Sequence, residues 1–282
     1  MHAKTKGIVS RIATYVFLLL LGILMIYPLI WLFFSSFKPN HEIFGSIKLL
    51  PDTWVLDSYS KGWQGGGQFT FTNFLWNTLQ MVVPTVLFTV LSSLLVGYGF
   101  ARFHFRGKKF LFYVMISILL LPSTVIIIPR YLLFRDLGWL DGYLPFIVPA
   151  IFAGNPFFVY LMVQFMRGIP QELDNAAMID GCNSFQILMR ITTPLCKPAI
   201  FSVIIFQSLW TWNDFFNSLI YINSVRKYPV SLALRMTLDT ASKIEWNAVL
   251  AMSLVTMIPC ALLFFAAQKY FVDGIATTGI KG

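Results

Sequence analysis

The sequence predicts an all-α integral membrane protein with six transmembrane helices and one long polar cytoplasmic loop. Composition is the first reason: 57% of the 282 residues are apolar and 12% are charged, whereas soluble domains carry about 25% charged residues. Second, the apolar residues form separate runs of roughly 20 residues, long enough to cross a hydrocarbon core of ~30 Å. Third, the loop at residues 167–198 is longer than a connection between packed helices needs to be.

Each apolar run is predicted to be one span of a single membrane domain that covers residues 1–282. The predicted spans are 12–34, 77–101, 110–130, 143–166, 199–222 and 246–268. The first run is longer than the apolar core of a signal peptide, about 7–15 residues, and no small-residue cleavage site follows it. We therefore interpret it as a span of the mature protein.

Basic residues indicate which side of the membrane each loop occupies. Lys4, Lys6 and Arg11 precede the first span, and four more basic residues crowd the short turn at 102–109 between the second and third spans. Short loops rich in Lys and Arg stay in the cytoplasm. Six spans place both ends of the chain on one side, so both termini are expected to be cytoplasmic.

Composition and spacing argue against several other classes of function. The net charge of +9 could suggest nucleic acid, but in so apolar a chain the basic residues serve as topology signals. Cys182, Cys196 and Cys260 have no metal-ligand spacing with the histidines, so we expect no metal site. A phosphate-binding G-x-x-x-x-G-K-[ST] loop is absent from the sequence, and we expect no ATP hydrolysis by this chain.

The first half of the loop at 167–198 has the signals of a short helix. Pro170 can occupy a first helical turn, and Leu173, Ala176 and Ala177 share one face at helical spacing. Gly181 can adopt the left-handed conformation that ends a helix. This predicts a helix with little side chain on one face, which a partner protein could approach closely.

The second half of the loop predicts another short helix. Asn183 or Ser184 can cap its start, residues 185–191 supply apolar side chains, and Pro194 and Pro198 are expected to stop it. The two short helices of residues 167–198 would form an elbow, and two interpretations of this elbow remain open. It either docks a partner in the cytoplasm or lies in the lipid headgroups as a connecting hairpin.

Polar residues inside the spans are candidates for a substrate path, because a buried charge costs ~2.5 to 3.5 kcal/mol on insertion scales. The fifth span supplies Asp214, together with Trp210, Asn213 and Asn217 at helical spacing. Amide groups beside an aromatic surface suit the binding of sugars. Hydrogen-bonding between helices or an interfacial tryptophan belt would explain the same residues. The candidates are Asn155, Gln164, Trp210, Asn213, Asp214 and Asn217.

The loop also resembles a conserved segment of permease subunits in binding-protein-dependent ABC importers, written EAA, three residues, Gly, nine residues, I-x-L-P. The chain reads Asn175-Ala176-Ala177, then Asp180-Gly181, then Ile191-Thr192-Thr193-Pro194. Asn175 replaces the usual glutamate and Thr193 the usual leucine, and the first change removes a negative charge from the docking helix. The loop residues carried over as an ATPase-docking coupling loop are Glu172, Leu173, Asn175, Ala176, Ala177, Asp180, Gly181, Ile191 and Pro194.

The resemblance extends over nearly the whole chain, through residues 27–38, 212–216 and 268–274, and is strongest to the shorter permease of maltose-type carbohydrate systems. It implies the type I ABC importer permease fold and a location in the inner membrane of a bacterial or archaeal cell. The implied partners are a second permease, with which the chain would form a heterodimer, two ATP-binding subunits that hold ATP and Mg, an extracytoplasmic sugar-binding protein and the bilayer. No cofactor is implied for this chain.

The function implied by the resemblance is to form half of the transmembrane path for carbohydrate, expected to be an oligosaccharide, which is taken up from the extracytoplasmic binding protein by alternating access. Glycerol phosphate or a polyol is an alternative cargo within the same class. A phosphate ester would favour an Arg or Lys in the cavity, and we expect none in mid-span. A stand-alone carrier or channel is an alternative from a different class, but it would leave the elbow without a role.

Overall fold

The computed structural model describes residues 2–65, 68–239 and 244–278. Regular structure in these ranges is helical throughout, as the composition predicted. The α-helices are α1 His2–Ser35, α2 Asn40–Gly45, α3 Ser58–Gln64, α4 Phe71–Arg102, α5 Lys108–Leu119, α6 Ser123–Asp136, α7 Leu144–Ile151, α8 Pro156–Arg167, α9 Glu172–Ile179, α10 Ser184–Ile187, α11 Thr193–Leu195, α12 Lys197–Trp212, α13 Phe215–Tyr221, α14 Val230–Asp239 and α15 Trp246–Thr278. A π-helical turn covers Leu188–Thr192 and a 3-10 turn covers Val225–Lys227.

Four stretches of the described chain are long and apolar enough to cross a membrane: Arg11–Ser35, Phe71–Arg102, Leu144–Arg167 and Trp246–Gln268. Two helix pairs reach the same length together but are bent, by 104° between α5 and α6 and by 76° where α10 and α11 lead into α12. The described residues thus contain six spans if each bent pair counts as one, which is the number that the sequence predicts.

Three predicted spans are not continuous helices. The third, predicted at 110–130, breaks after Leu119 because Pro122 adopts an extended conformation (φ −60°, ψ 132°), and its second half runs on to Asp136. The fourth, predicted at 143–166, is interrupted between Ile151 and Pro156. The fifth, predicted at 199–222, ends at Trp212 and starts again at Phe215. Asp214 lies at this break and caps the second piece.

The prediction that Pro194 and Pro198 stop the second loop helix is wrong. Pro194 lies in the first turn of α11 and Pro198 in the first turn of α12. Pro198 loses no helical hydrogen bond, because the missing N–H of a first-turn proline would have had no partner there. Pro194 follows the π-helical turn in backbone that stays helical. The loop therefore leads through the π-helical turn, with one bend, into the fifth span.

The chain divides into two compact units, which are described separately; the prediction of a single domain stays a prediction. The first unit comprises Met1–Thr70 and Met236–Met257. In it Lys38 is fully buried and its Nζ donates to the carbonyl of Lys48. The N–H of Val55 donates to the carbonyl of Phe37 at 2.8 Å, and the rings of Phe37 and Tyr59 lie 5.4 Å apart. These contacts hold the segment that follows α1 against the C-terminal end of that helix.

The second unit comprises Phe71–Arg235 and Ile258–Gly282. Its centre is α4, which packs against α7, α8 and α12. Gly97 of α4 allows the closest approach, because a Cβ built there would lie 2.8 Å from the Cβ of Met162 on α8. Small residues at such positions let membrane helices pack backbone to backbone. The buried core around this contact also includes Phe158, Cys196 and Val203.

Candidate functional site

The first helix of the loop, α9, leaves open two of the three residues of the face that a partner is predicted to approach. Asp174 and Ala177 are each 5% exposed, whereas Leu173 and Ala176 are exposed. Leu173 and Ala176 are thus accessible to a partner, as the prediction requires, whereas Ala177 is buried on the same side as Asp174. The reason is electrostatic: a basic residue at the end of α4 attracts the carboxylate of Asp174 inward.

That basic residue is Arg102, whose Nε lies 2.7 Å from Oδ2 of Asp174, with both side chains 8% exposed. The ion-pair distance is short, but the Nε–H is not aligned as a hydrogen bond and Oδ1 of Asp174 has no donor among the described residues. A second nitrogen of Arg102 donates to the carbonyl of Ile169 at 3.1 Å. One side chain of α4 thus holds both the start of the loop and its first helix.

The turn between the two loop helices follows the predicted glycine. Gly181 has a φ of +84°, the left-handed conformation that side chains disfavour. The N–H of Cys182 donates to the carbonyl of Ala177 at 2.9 Å, and that of Gly181 to Met178 at 3.1 Å. This pair of bonds is a Schellman motif, which fixes the direction in which the chain leaves α9.

The second loop helix is capped by Asn183, one of the two residues that the sequence predicts for this role. Its side chain accepts the N–H of Gln186 at 2.9 Å, and the Gln186 side chain accepts the N–H of Asn183 at 2.9 Å. This reciprocal capping box satisfies two backbone donors that would otherwise lack partners. Together with the Schellman motif it makes the elbow a defined element.

The elbow leaves a group of large apolar side chains exposed. The exposed fractions are 43% for Leu173, 55% for Met178, 87% for Ile179 and 62% for Phe185. Contiguous exposed apolar residues mark surfaces that contact another protein or a membrane. Of the other predicted docking residues, Glu172, Asn175, Asp180 and Pro194 are exposed and Ile191 is half-buried.

A polar cavity of 280 Å³ lies in the second unit, among α4, α6, α7, α12 and α13. The structure brings four of the six predicted substrate-path residues to it: Asn155, Trp210, Asp214 and Asn217. Gln164 is an exposed residue of α8 away from the cavity. Asn213 donates to the carbonyl of Leu209 at 2.8 Å. Asn213 does not line the cavity, because the helical spacing that paired it with Asn217 does not continue across the break at Asp214.

Asp214 has a structural role at the cavity wall. Its Oδ1 accepts the N–H of Asn217 at 3.1 Å, and the amide nitrogen of Asn217 lies 3.0 and 2.9 Å from its two carboxylate oxygens. Asn155 is likewise a cap, since its side-chain oxygen accepts the N–H of Phe157 at 3.2 Å. Both residues start a helix at a break in a span, and both have polar atoms left for the cavity.

Six polar residues of the cavity were not among the predicted candidates. They are Thr85, Thr89, Arg130, Gln207, Thr211 and Tyr221. The expectation that no Arg or Lys lies in the cavity is wrong, because Arg130 lines it. The signal was present in the sequence as a proline and an arginine together, Pro129 and Arg130, at the end of an apolar run. It was missed because that end was placed at the membrane surface, whereas α6 continues to Asp136.

A short segment after α13 fixes the position of Tyr221. The N–H of Asp141 donates to the carbonyl of Tyr221 at 2.7 Å, and the carboxylate of Asp141 accepts the hydroxyl of Ser224 at 2.7 Å and the N–H of Asn223 at 3.0 Å. Bonds from Ser224, above all, lower the pKa of Asp141 from 3.8 to about 2. These bonds therefore stabilise the fold fully when the pH is above 3.8, the ordinary pKa of Asp141. The stabilisation is lost as the pH falls toward about 2, the pKa of Asp141 in the folded protein.

Comparison with known proteins identifies several similar chains. The family described as "Binding-protein-dependent transport system inner membrane component" matches residues 93–277. The chain is 33% identical to the "Arabinooligosaccharides transport system permease protein AraQ" of Halalkalibacterium halodurans, with 100% of both chains covered. It is 31% identical to the "Probable ABC transporter permease protein YurM" of Bacillus subtilis, with 99% of this chain and 91% of the relative covered.

A solved structure has a similar fold. It is the crystal structure of a bacterial ABC transporter involved in the import of the acidic polysaccharide alginate, and one of its chains is similar with a TM-score of 0.81 and 23% sequence identity. The similarity covers 93% of this chain and 96% of that one. At this identity the likeness concerns the fold.

Proposed function

The chain belongs to the family of binding-protein-dependent transport system inner membrane components, and on that premise we propose that it is the permease subunit that forms half of the path through an ATP-driven oligosaccharide importer. Membership makes it a multi-pass membrane protein with the type I permease fold. The oligosaccharide cargo is supported by the name of the AraQ relative. Glycerol phosphate and polyols are not favoured, because the names of these relatives point to neither.

The observation that carries the proposal is the elbow at 167–198. It is capped at both helices, tied to α4 by the buried pair of Arg102 and Asp174, and exposes Ile179 and Phe185. The elbow is thus attached to α4 on one side and exposes apolar side chains on the other. It can transmit a movement to the spans only if a partner protein binds the exposed side. The proposed occupant is an ATP-binding subunit, one of two in the assembly, which would bind ATP and Mg and hydrolyse the nucleotide.

The remaining parts of the assembly follow from the same premise. A second permease would complete the path, and an extracytoplasmic sugar-binding protein would deliver the cargo. The polar cavity of the second unit, with Trp210, Asn155 and Asn217 in its wall, is the proposed part of the path in this subunit. Both termini and the elbow would lie in the cytoplasm, on the side of the ATP-binding subunits.

The experiment that tests the proposal changes Ile179 to Arg in a tagged chain expressed with its genomic neighbours. Ile179 is 87% exposed, so the change disturbs the docking surface without disturbing the core. We expect the ATP-binding subunits to be lost from the purified complex, and with them the ATPase activity that the sugar-loaded binding protein stimulates. Subunit ratios on a gel and ATPase rates in liposomes measure the two effects.

Ile47→Arg is the matched control. Ile47 is 100% exposed and belongs to the first unit, on the predicted extracytoplasmic side, so the same change there should leave the ATP-binding subunits attached. A wild-type chain that transports sugar without any ATP-binding subunit, or an Ile179→Arg complex that keeps both subunits and full stimulation, would contradict the proposal and favour a stand-alone carrier.

A further inference from the structure

The polar cavity contains a buried hydroxyl that makes no aligned hydrogen bond to a described residue. It belongs to Tyr221, which is 2% exposed and lines the cavity. A buried polar group without an aligned partner destabilises the fold, so such groups are rare unless something else satisfies them. The rings of Phe134 and Phe146, at 5.3 and 5.9 Å from the Tyr221 ring, hold the side chain in place. The hydroxyl is therefore a fixed group that a ligand in the cavity can satisfy.

Arg130 lies next to this hydroxyl. Arg130 attracts Asp214 and lies within side-chain hydrogen-bonding range of Tyr221, although its N–H groups are not aligned with the Tyr221 hydroxyl. A guanidinium carries five N–H donors in a planar fork. Arg130 is an exposed residue of the cavity wall, so these donors can reach the oxygens of a ligand. Arginine inside a membrane span marks a substrate path more often than it marks a structural site.

The charges of the cavity balance. Arg130 and Asp214 are the cationic and anionic residues of its lining, and their formal charges sum to zero. A neutral ligand would therefore leave no charge uncompensated, whereas a carboxylate on the ligand would have to compete with Asp214 for Arg130. The carboxylate of Asp214 is held by Asn217, so it cannot swing away to make room.

The wall also has an apolar face. Trp210 lines the cavity and is 47% exposed, while the rings of Phe157 and Phe158 lie 5.3 and 5.1 Å from it and support it. An aromatic surface beside polar groups suits a sugar ring, whose C–H face is apolar and whose edge carries hydroxyls. The volume of 280 Å³ is near the lower limit of about 300 Å³ for small-molecule sites, which suits a single ring better than a whole oligosaccharide.

We infer that this cavity is a saccharide subsite within this subunit, which holds one uncharged sugar ring with Arg130 and Tyr221 as hydrogen-bonding groups. The inference rests on the proposed function and adds to it that this permease contacts the cargo itself. It also assigns a charge class to that cargo. Trp210 supplies the surface against the ring, and Asp214 keeps the charge of Arg130 balanced.

The test uses the whole complex with its binding protein, trapped with ATP and vanadate in the presence of radiolabelled arabinotriose, galactotriose or a mannuronate trisaccharide. Saccharide retained after gel filtration is counted for the wild type, Arg130→Gln and Tyr221→Phe. Loss of a charged hydrogen bond should lower retention of the neutral trisaccharide about tenfold, and loss of a neutral one about fivefold. Arg135→Gln and Tyr131→Phe, on the same helix but outside the cavity lining, are the matched controls and should retain as much as the wild type.

Asp214→Asn distinguishes a binding role from a structural one. Asparagine caps helices as well as aspartate does, so α13 should still form, but Arg130 would lose its nearby carboxylate. We expect the variant to retain less of the neutral trisaccharide and more of the mannuronate trisaccharide than the wild type. A variant that had only lost stability would lose both.

Several results would overturn the inference while leaving the proposed function intact. One is a wild-type complex that transports a neutral trisaccharide but retains none when trapped. Another is equal retention by the wild type, Arg130→Gln and Tyr221→Phe. A third is loss of the second permease from the Arg130→Gln complex, which would show that the cavity receives that subunit. The proposed function fails separately if no ATP-binding subunit accompanies the wild-type chain or if none of the three saccharides is transported.

Discussion

At the scale of single residues, the pair of Arg102 and Asp174 decides how firmly the elbow is attached. Both side chains are 8% exposed, so little water screens them, and removal of one partner leaves the other charge buried. Breaking such a pair costs about 3–5 kcal/mol. The exposed pair of Arg135 and Asp136, at 55% and 65%, belongs to the class worth about 0–1 kcal/mol.

We therefore expect Asp174→Ala to lower the unfolding temperature of the purified complex and to weaken the coupling between sugar delivery and ATP hydrolysis, since α9 would no longer follow α4. Asp136→Ala is the control and should change neither. The double variant Arg102→Asp/Asp174→Arg should recover part of the coupling, but not all, because an aspartate at position 102 cannot donate to the Ile169 carbonyl. Full coupling in Asp174→Ala would show that the elbow is held by its capping motifs alone.

At the scale of helices, Gly97 sets the distance between α4 and α8. Its missing side chain lets Met162 approach so closely that a Cβ would lie 2.8 Å from the Met162 Cβ. Overpacking of this kind costs about 1–3 kcal/mol. We expect Gly97→Leu to lower the thermal stability of the complex, measured by the loss of monodisperse protein after heating. Gly99→Leu, two residues along the same helix with open space around it, should leave the thermal stability unchanged. An equal loss of stability in both variants would mean that the two glycines act only through helix propensity.

The elements show how far the sequence could be interpreted without a structure. Continuous apolar runs predicted the spans at α1, α4 and α15, since hydropathy alone specifies a helix that crosses lipid. The breaks at Pro122 and Asp214 were not predicted, because an interrupted helix and a continuous one have the same apolar composition. The turn at Gly181 and the cap at Asn183 were predicted, because each depends on a local preference of one residue type.

The sites divide in the same way. The motif around Ala177 and Gly181 located the elbow, yet not its buried face, which depends on Arg102, far away in the sequence. The cavity was half predicted: Trp210 and Asp214 belong to one run, but Tyr221 and Arg130 join them only through the bends of two broken spans. Sequence patterns find groups that are neighbours along a helix, and they miss groups that meet only in the packed bundle.

At the scale of the whole molecule, the open point of topology is the bent pair α5 and α6. A bend of 104° is compatible with one broken span or with a re-entrant loop, and only the broken span gives six crossings and places both termini in the cytoplasm. The basic cluster at 102–109 predicts that the start of α5 is cytoplasmic. Arg130, which follows the bend on α6, lines the polar cavity.

We expect the broken span. The test uses a background variant in which Cys182, Cys196 and Cys260 are replaced by serine. In it, Arg106→Cys should react with a membrane-impermeant maleimide only after the cells are opened, whereas Arg135→Cys should react in intact cells. These two positions flank the bent pair, so opposite accessibility means one crossing between them. Equal accessibility from the inside would make α5 and α6 a re-entrant loop, would leave an odd number of crossings before the elbow, and would place the elbow on the side away from any ATP-binding subunit.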